Sequence, residues 1–342
     1  MRRAIFVIIG LSLFVPVFAL AHEVYVLDGA TIARDIGTIS PNPLDAFFSN
    51  KYQFFFWGFI CFVGFSTIFF MSIFHSLEEH FAPAFARLKK YAAPVARITL
   101  GISLLACAYQ SALFGPELPF YALDPNGVTG LRIMFTISGI LITFGIWTRL
   151  GAIVLLPALW LFLVERANYA PTYANYYGEV LFVLLAGGGM YSLLDDTRWL
   201  PTAMRKLLHE AGKYAWPLLR IAFGISIVYA ALFAKFLHSN LALDTIDKYH
   251  LINYFHFDPL FIVLGAFIIE TLIGIFFIIG VEIRWNALFF LFWLFLSLIY
   301  FGEAVWPHLI LIGLNAAFFL HGYDKYSIEG RYFKKHLLEP VL

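Results

Sequence analysis

Trp216-Pro217-Leu218-Leu219-Arg220-Ile221-Ala222-Phe223-Gly224-Ile225-Ser226 reads as the opening of an apolar helix, with a proline in the first turn, where its missing N–H is not needed. The chain holds a near copy, Ala93-Pro94-Val95-Ala96-Arg97-Ile98-Thr99-Leu100-Gly101-Ile102-Ser103, in which Pro, Arg, Gly, Ile and Ser coincide. The register resumes with Gly145-Ile146-Trp147-Thr148-Arg149 against Gly280-Val281-Glu282-Ile283-Arg284, each following a glycine-containing apolar run and opening the next. Two tandem four-helix bundles of parallel topology are therefore expected, over 94–195 and 216–323. Gly101 with Gly139 and Gly224 with Gly274 are expected to let neighbouring helices approach closely.

The rest of the chain agrees with a membrane setting. Of 342 residues 61% are hydrophobic and 13% charged, against roughly 45–50% and about 25% in soluble domains. With 23 Lys plus Arg against 22 Asp plus Glu, no basic excess exists to neutralise a phosphate backbone, which excludes nucleic acid as a partner. Runs long enough to cross a bilayer recur at 54–74, 94–114, 128–147, 150–165, 177–194, 216–237, 259–281, 285–301 and 305–321. The fold class is thus all-α and polytopic: a signal peptide and nine transmembrane helices, one of them a lead helix before the two bundles. Residues 22–93 make the extracytoplasmic segment, lead helix and inner linker, and 324–342 a cytoplasmic tail.

Arg2 and Arg3 precede the apolar stretch Ala4 to Leu20, and Ala19-Leu20-Ala21 has the small-residue pattern of a cleavage site, so 1–21 reads as a signal peptide. An uncleaved anchor helix is the competing reading. Cleavage would leave His22 first, where an α-amino group beside an imidazole can chelate copper; the plain reading is a residue that follows a leader. Arg34, Lys51, Arg132, Arg166, Lys235 and Lys248 fall on the outer side, Arg2 and Arg3 in the leader, and every other Lys and Arg inside. The positive-inside rule then puts the mature N-terminus outside and the C-terminus inside a plasma membrane.

Leu218-Leu219-Arg220 with Gly224, Lys235-Phe236, then Glu270, Gly274, Gly280 and Arg284 resemble the motif of the DoxX/DoxD family of four-helix membrane proteins. The first copy keeps Arg97, Gly101, Gly139, Gly145 and Arg149, but has Ala112 and Phe135 where Lys235 and Glu270 stand. The resemblance covers the two bundles and not the lead segment. It implies a membrane subunit or accessory of a sulphur or thiol redox system, such as a thiosulfate:quinone oxidoreductase, with a quinone as ligand and a thiol or sulphur redox protein as partner. It also implies that the first copy is degenerate.

Glu270 lies mid-span, where an ionisable side chain costs at least about 2.5 kcal/mol and faces protein or a cavity by default. Lys235, near the outer end of the preceding span, can face it across a shared outer cavity. A structural ion pair and a snorkelling lysine are the competing readings. Glu270 and Lys235 are the candidate reactive groups. Arg132, Glu179, Glu303 and His308 are candidate substrate contacts. Arg132 is expected to pair with Glu165 or Glu179. Glu179 is set level with His308 by their equal offsets from Asp195 and Asp324, both near a helix start, where an acid can simply complement the helix dipole. Arg97 and Arg220 read as snorkelling anchors.

The spacings His238, His250, His256 and His75, His80 suit no helical metal site. Cys61 and Cys107 form no Cys-x-x-Cys pair, so redox chemistry needs another carrier. Nucleotide-binding glycine loops and Cys-x-x-Cys-His are missing from the sequence, and Gly187-Gly188-Gly189 is expected within a span. Two further classes stay open: a transporter, and an assembly factor without chemistry.

Overall fold

The computed structural model describes residues 26–52, 54–194, 200–254, 257–302 and 304–333. Residues 1–21, expected to be a leader, lie outside the described residues, as do His22, Asp195, Glu303 and residues 334–342. The described residues form helices and no strands. Two short helices, α1 (Gly29–Gly37) and α2 (Leu44–Asn50), precede the long lead helix α3 (Phe54–Leu88). The first half then holds α4 (Ala92–Gln110), α5 (Val128–Phe144), α6 (Thr148–Glu165) and α7 (Ala174–Ala186). A polar linker helix α8 (Thr202–Gly212) leads to α9 (Ala215–Ala231), which runs on through the π-helical turn Leu232–Leu237. The short helix α10 (Ser239–Lys248) is followed by α11 (Pro259–Ile279), α12 (Ile283–Phe301) and α13 (Leu309–His321).

Five stretches are long and apolar enough to cross a membrane: His80–Gln110, Thr148–Glu165, Ala215–Leu237, Pro259–Ile279 and Ile283–Phe301. The chain is accordingly an integral membrane protein. Val128–Phe144 and Trp306–His321 are apolar but shorter. The run expected over 177–194 is helical only to Ala186, which corrects the placing of the glycine triplet. Gly187 turns the chain at φ +73°, and the guanidinium of Arg149 occupies the space where a Cβ would stand, at 2.7 Å. Only glycine combines that backbone with that neighbour.

Helix contacts follow the small residues. A Cβ on Gly101 would lie 2.9 Å from the Gly139 carbonyl, and one on Gly224 2.5 Å from the Gly274 carbonyl, so α4 meets α5 and α9 meets α11 at backbone distance. The expected glycine contacts are thus found. Gly178 packs on Ala222, joining α7 to α9, and Gly313 on Thr99, joining α13 to α4. The last helix of each half therefore makes its closest approach to the first helix of the other half. The eight helices close into one ring, with the two halves joined along two seams. Within the second half, α9 and α13 meet through large rings, Trp216 stacked on His321 at 3.8 Å and Phe223 on Phe318 at 5.5 Å.

Arg97 and Arg220 are not snorkelling anchors: both are buried, at 1% and 2% exposure. Arg97 donates to the carbonyls of Gly188 (2.8 Å) and Tyr191 (3.2 Å) and to the Ser192 hydroxyl (3.1 Å). Arg220 donates to Asp324 (3.0 Å) and to the carbonyls of Phe277 and Ile278. Arg220 satisfies carbonyls left over at the end of α11, and Arg97 those of the loop that follows α7, a use for five donors in a fixed plane that the sequence does not announce. Arg149 of α6 and Arg284 of α12 hold helix-end carbonyls, at Leu184 and Leu185 and at Phe319 and His321.

A candidate ligand cavity in the second half

The second half holds a cavity of about 600 Å³. Its walls are apolar, drawn from α9, α11, α12 and α13, from α10 and Val26, and from Thr172, Tyr173, Asn175 and Tyr176 of the first half. Polar groups are few and gathered. Lys235 and Glu270 form an ion pair at 2.9 Å, both more than nine-tenths buried. Lys235 stands in the π-helical turn that ends α9, an irregularity that recurs at functional sites. His308 is 1% exposed. Its Nδ1 lies 3.0 Å from the Ala304 carbonyl, so Nδ1 carries the proton and Nε2 the lone pair in the neutral ring. Lys235, Glu270 and His308 therefore line one cavity, together with Ser226, Thr245 and Ser297.

The corresponding space of the first half is filled. Phe135, Phe162 and Tyr173 stand, at one constant separation in sequence, where Glu270, Ser297 and His308 stand in the second half. Gly145 and Gly280, Arg149 and Arg284, and Gly187 and Gly322 keep the same separation, with matching left-handed turns at the glycines. Phe114 fits among the three rings at 6.4, 5.7 and 5.3 Å, and stacks on Tyr176 at 3.9 Å. Phe114 adopts φ +57° to do so, a conformation that costs a non-glycine residue about 1–3 kcal/mol. Aromatic volume thus replaces the cavity.

The remaining candidates separate. Arg132 is exposed and pairs with neither Glu165 nor Glu179, so the expected pairing is corrected. Glu179 is fully buried in α7, with no hydrogen-bond partner at either oxygen, and does not line the cavity. It lies one helical turn below Asn175, which does. Glu179 and His308 are not equivalent. The turns at Gly187 and Gly322 set Glu179 level with Leu314, and His308 level with Tyr173. Glu303 and His22 lie outside the described residues. Cys61 and Cys107 are free thiols, as expected.

Sequence reasoning missed Ser297, Asn286 and a carboxylate cluster. Glu78, Glu282 and Glu329 bring carboxylate oxygens within 4.8 Å of one another. Arg284 donates to Glu78, and the Ile283 amide to Glu329 at 3.2 Å, which reads as charge compensation at the start of α12. Aligning the last helices on Gly187 and Gly322 would have found Ser297 and His308 against their aromatic counterparts.

Compared with protein-family models, with curated proteins and with solved structures, the chain matches none.

Proposed function

We propose that the chain is a DoxX/DoxD-like membrane subunit that binds a quinone in the second-half cavity on behalf of a thiol or sulphur redox partner. The observation that carries this reading is the exchange of Phe135, Phe162 and Tyr173 for Glu270, Ser297 and His308, which opens an apolar chamber around a few convergent polar groups. A quinone asks for that chemistry: an apolar slot for ring and tail, and hydrogen-bond donors at its oxygens. Lys235 offers N–H donors, and Glu270 and His308 are proton-carrying groups beside it. When bound, the quinone would take up two electrons and two protons, which two partner thiols release on forming a disulfide. The partner must supply those thiols, because Cys107 is buried and Cys61 sits on the lead helix away from the cavity.

Matching arginine and glycine contacts in the two halves support an internal duplication with an axis along the membrane normal. We also propose nine spans in the plasma membrane, a cleaved leader over 1–21, the mature N-terminus outside and the C-terminus inside, on the charge distribution given above.

The test is equilibrium binding of decylubiquinone to the purified chain in lipid nanodiscs. Glu270→Gln is expected to weaken binding about tenfold, equivalent to ~1.4 kcal/mol, and Arg132→Gln to leave it unchanged. The double variant Lys235→Met, Glu270→Leu leaves no uncompensated charge, so it separates loss of ligand from loss of fold. Absence of binding by the wild type, or unchanged binding by both Glu270 variants, would reject the reading.

A further inference from the structure

α5 and α6 pack closely in the first half, and Gly151 is why: a Cβ there would meet Leu141 and Ile142 at 3.1 Å and the Ser138 carbonyl at 3.3 Å. Asn286 holds the same place in α12. It is buried, and its Nδ2 donates to the Ile273 carbonyl of α11 at 2.9 Å. A side chain with a hydrogen bond therefore spans the gap that glycine closes in the other half. Beyond Asn286 both helices line the cavity, and residues of that wall are left accessible. A Cβ on Gly265 of α11 meets nothing within 4 Å, while Leu296 and Tyr300 of α12 line the cavity at 49% and 40% exposure. Both helices are long and apolar enough to span, so this opening lies on a flank turned to acyl chains. The route from water is roofed: Ala242 and Ile246 of α10 lie over the cavity, and Ala46 of α2 packs on Phe261 and Leu264.

We infer that the cavity loads sideways from the bilayer through the cleft between α11 and α12, and that its occupant carries a hydrocarbon chain. The polar head reaches Lys235, Glu270 and His308, the tail leaves through the cleft past Gly265 and Leu296, and Asn286 sets the width of the opening. This rests on the quinone reading for the head and adds the route and the chain.

Two measurements test it. Gly265→Trp places a large ring in the mouth, away from the polar groups. It is expected to slow decylubiquinone association at least tenfold, and to leave binding of the chainless 2,3-dimethoxy-5-methylbenzoquinone within twofold. Equal rates of decylubiquinone entry in variant and wild type would overturn the route. The second measurement needs no quinone: a nitroxide on Ser297→Cys, with Cys61→Ala and Cys107→Ala, is read for relaxation by oxygen and by an aqueous nickel chelate. Oxygen, which concentrates in the bilayer, is expected to dominate, and Gly265→Trp to reduce its effect. Dominance of the chelate would overturn lateral loading even if wild type binds no quinone, whereas oxygen dominance without quinone binding would reject only the identity of the head.

Discussion

The two halves use one scaffold to opposite ends. In the first, α5 and α6 close on Gly151, and Phe114 fills the interior among Phe135, Phe162 and Tyr173. In the second, Asn286 holds α12 off α11, and the interior is a chamber with an ion pair. The backbone contacts that define the scaffold are shared, so they do not decide function. What decides it is the volume and polarity of a few side chains, since close-packed interiors leave no room that a ring does not take.

The arginines are where the comparison can be broken most sharply. Arg220 is ion-paired with Asp324, whereas Arg97 meets carbonyls and a hydroxyl. Arg220→Ala leaves a buried carboxylate uncompensated and should cost about 3–5 kcal/mol. Arg97→Ala forfeits charge-assisted hydrogen bonds and should cost about 1.5–3 kcal/mol. Thermal unfolding in detergent, followed by tryptophan fluorescence, ranks the two; equal losses would mean that Asp324 adds nothing.

Exchanging the residue between the paired helices comes next. Gly151→Asn overpacks α5 against α6 and should destabilise by about 1–3 kcal/mol. Asn286→Gly should cost less, about 0.5–1.5 kcal/mol for the lost hydrogen bond, while narrowing the cleft and slowing decylubiquinone entry. Similar tolerance of asparagine at both places would show that neither residue sets the helix separation.

A smaller effect is expected at Glu179. Its buried carboxyl has no hydrogen-bond partner, so Glu179→Leu, of similar volume, should leave stability unchanged or raise it by up to about 1–2 kcal/mol. A fall in melting temperature would show that the first half too depends on a polar group.

The smallest effect concerns the segment around α1, which docks on the second half through Arg34 to Asp244 and Lys248 to the Val26 carbonyl. Amide and hydroxyl bonds from Thr31 hold the Asp28 carboxyl below its usual 3.8. The stabilisation of α1 by this cap is complete above that value and is lost as pH falls through the lowered one. Faster hydrogen exchange of the α1 amides on acidification, with α4 unaffected, is the expected signature.

Much of this was legible in the sequence. The glycine pairs, the arginine register and the approach of Lys235 to Glu270 follow from spacing and from the cost of charge in an apolar span. The burial of Arg97 and Arg220 was not legible, because their partners are backbone carbonyls, which every sequence has. The aromatic plug was hidden for another reason: Phe135 and Phe162 look like any phenylalanines in a span until Phe114 returns between them by way of a left-handed turn. The role of Asn286 emerged only against Gly151, and that match needs the two halves overlaid.

The ring closure has a consequence for how the chain is made. α13 packs on α4, which is made well before it, and α7 must keep a face for α9. An incomplete chain therefore presents the glycine-bearing faces of α4 and α7 to lipid, where nothing matches their shape. Neither half should be obtainable as a finished domain, and a chain halted within the linker around α8 should be a substrate for membrane quality-control proteases until the second half is supplied in trans.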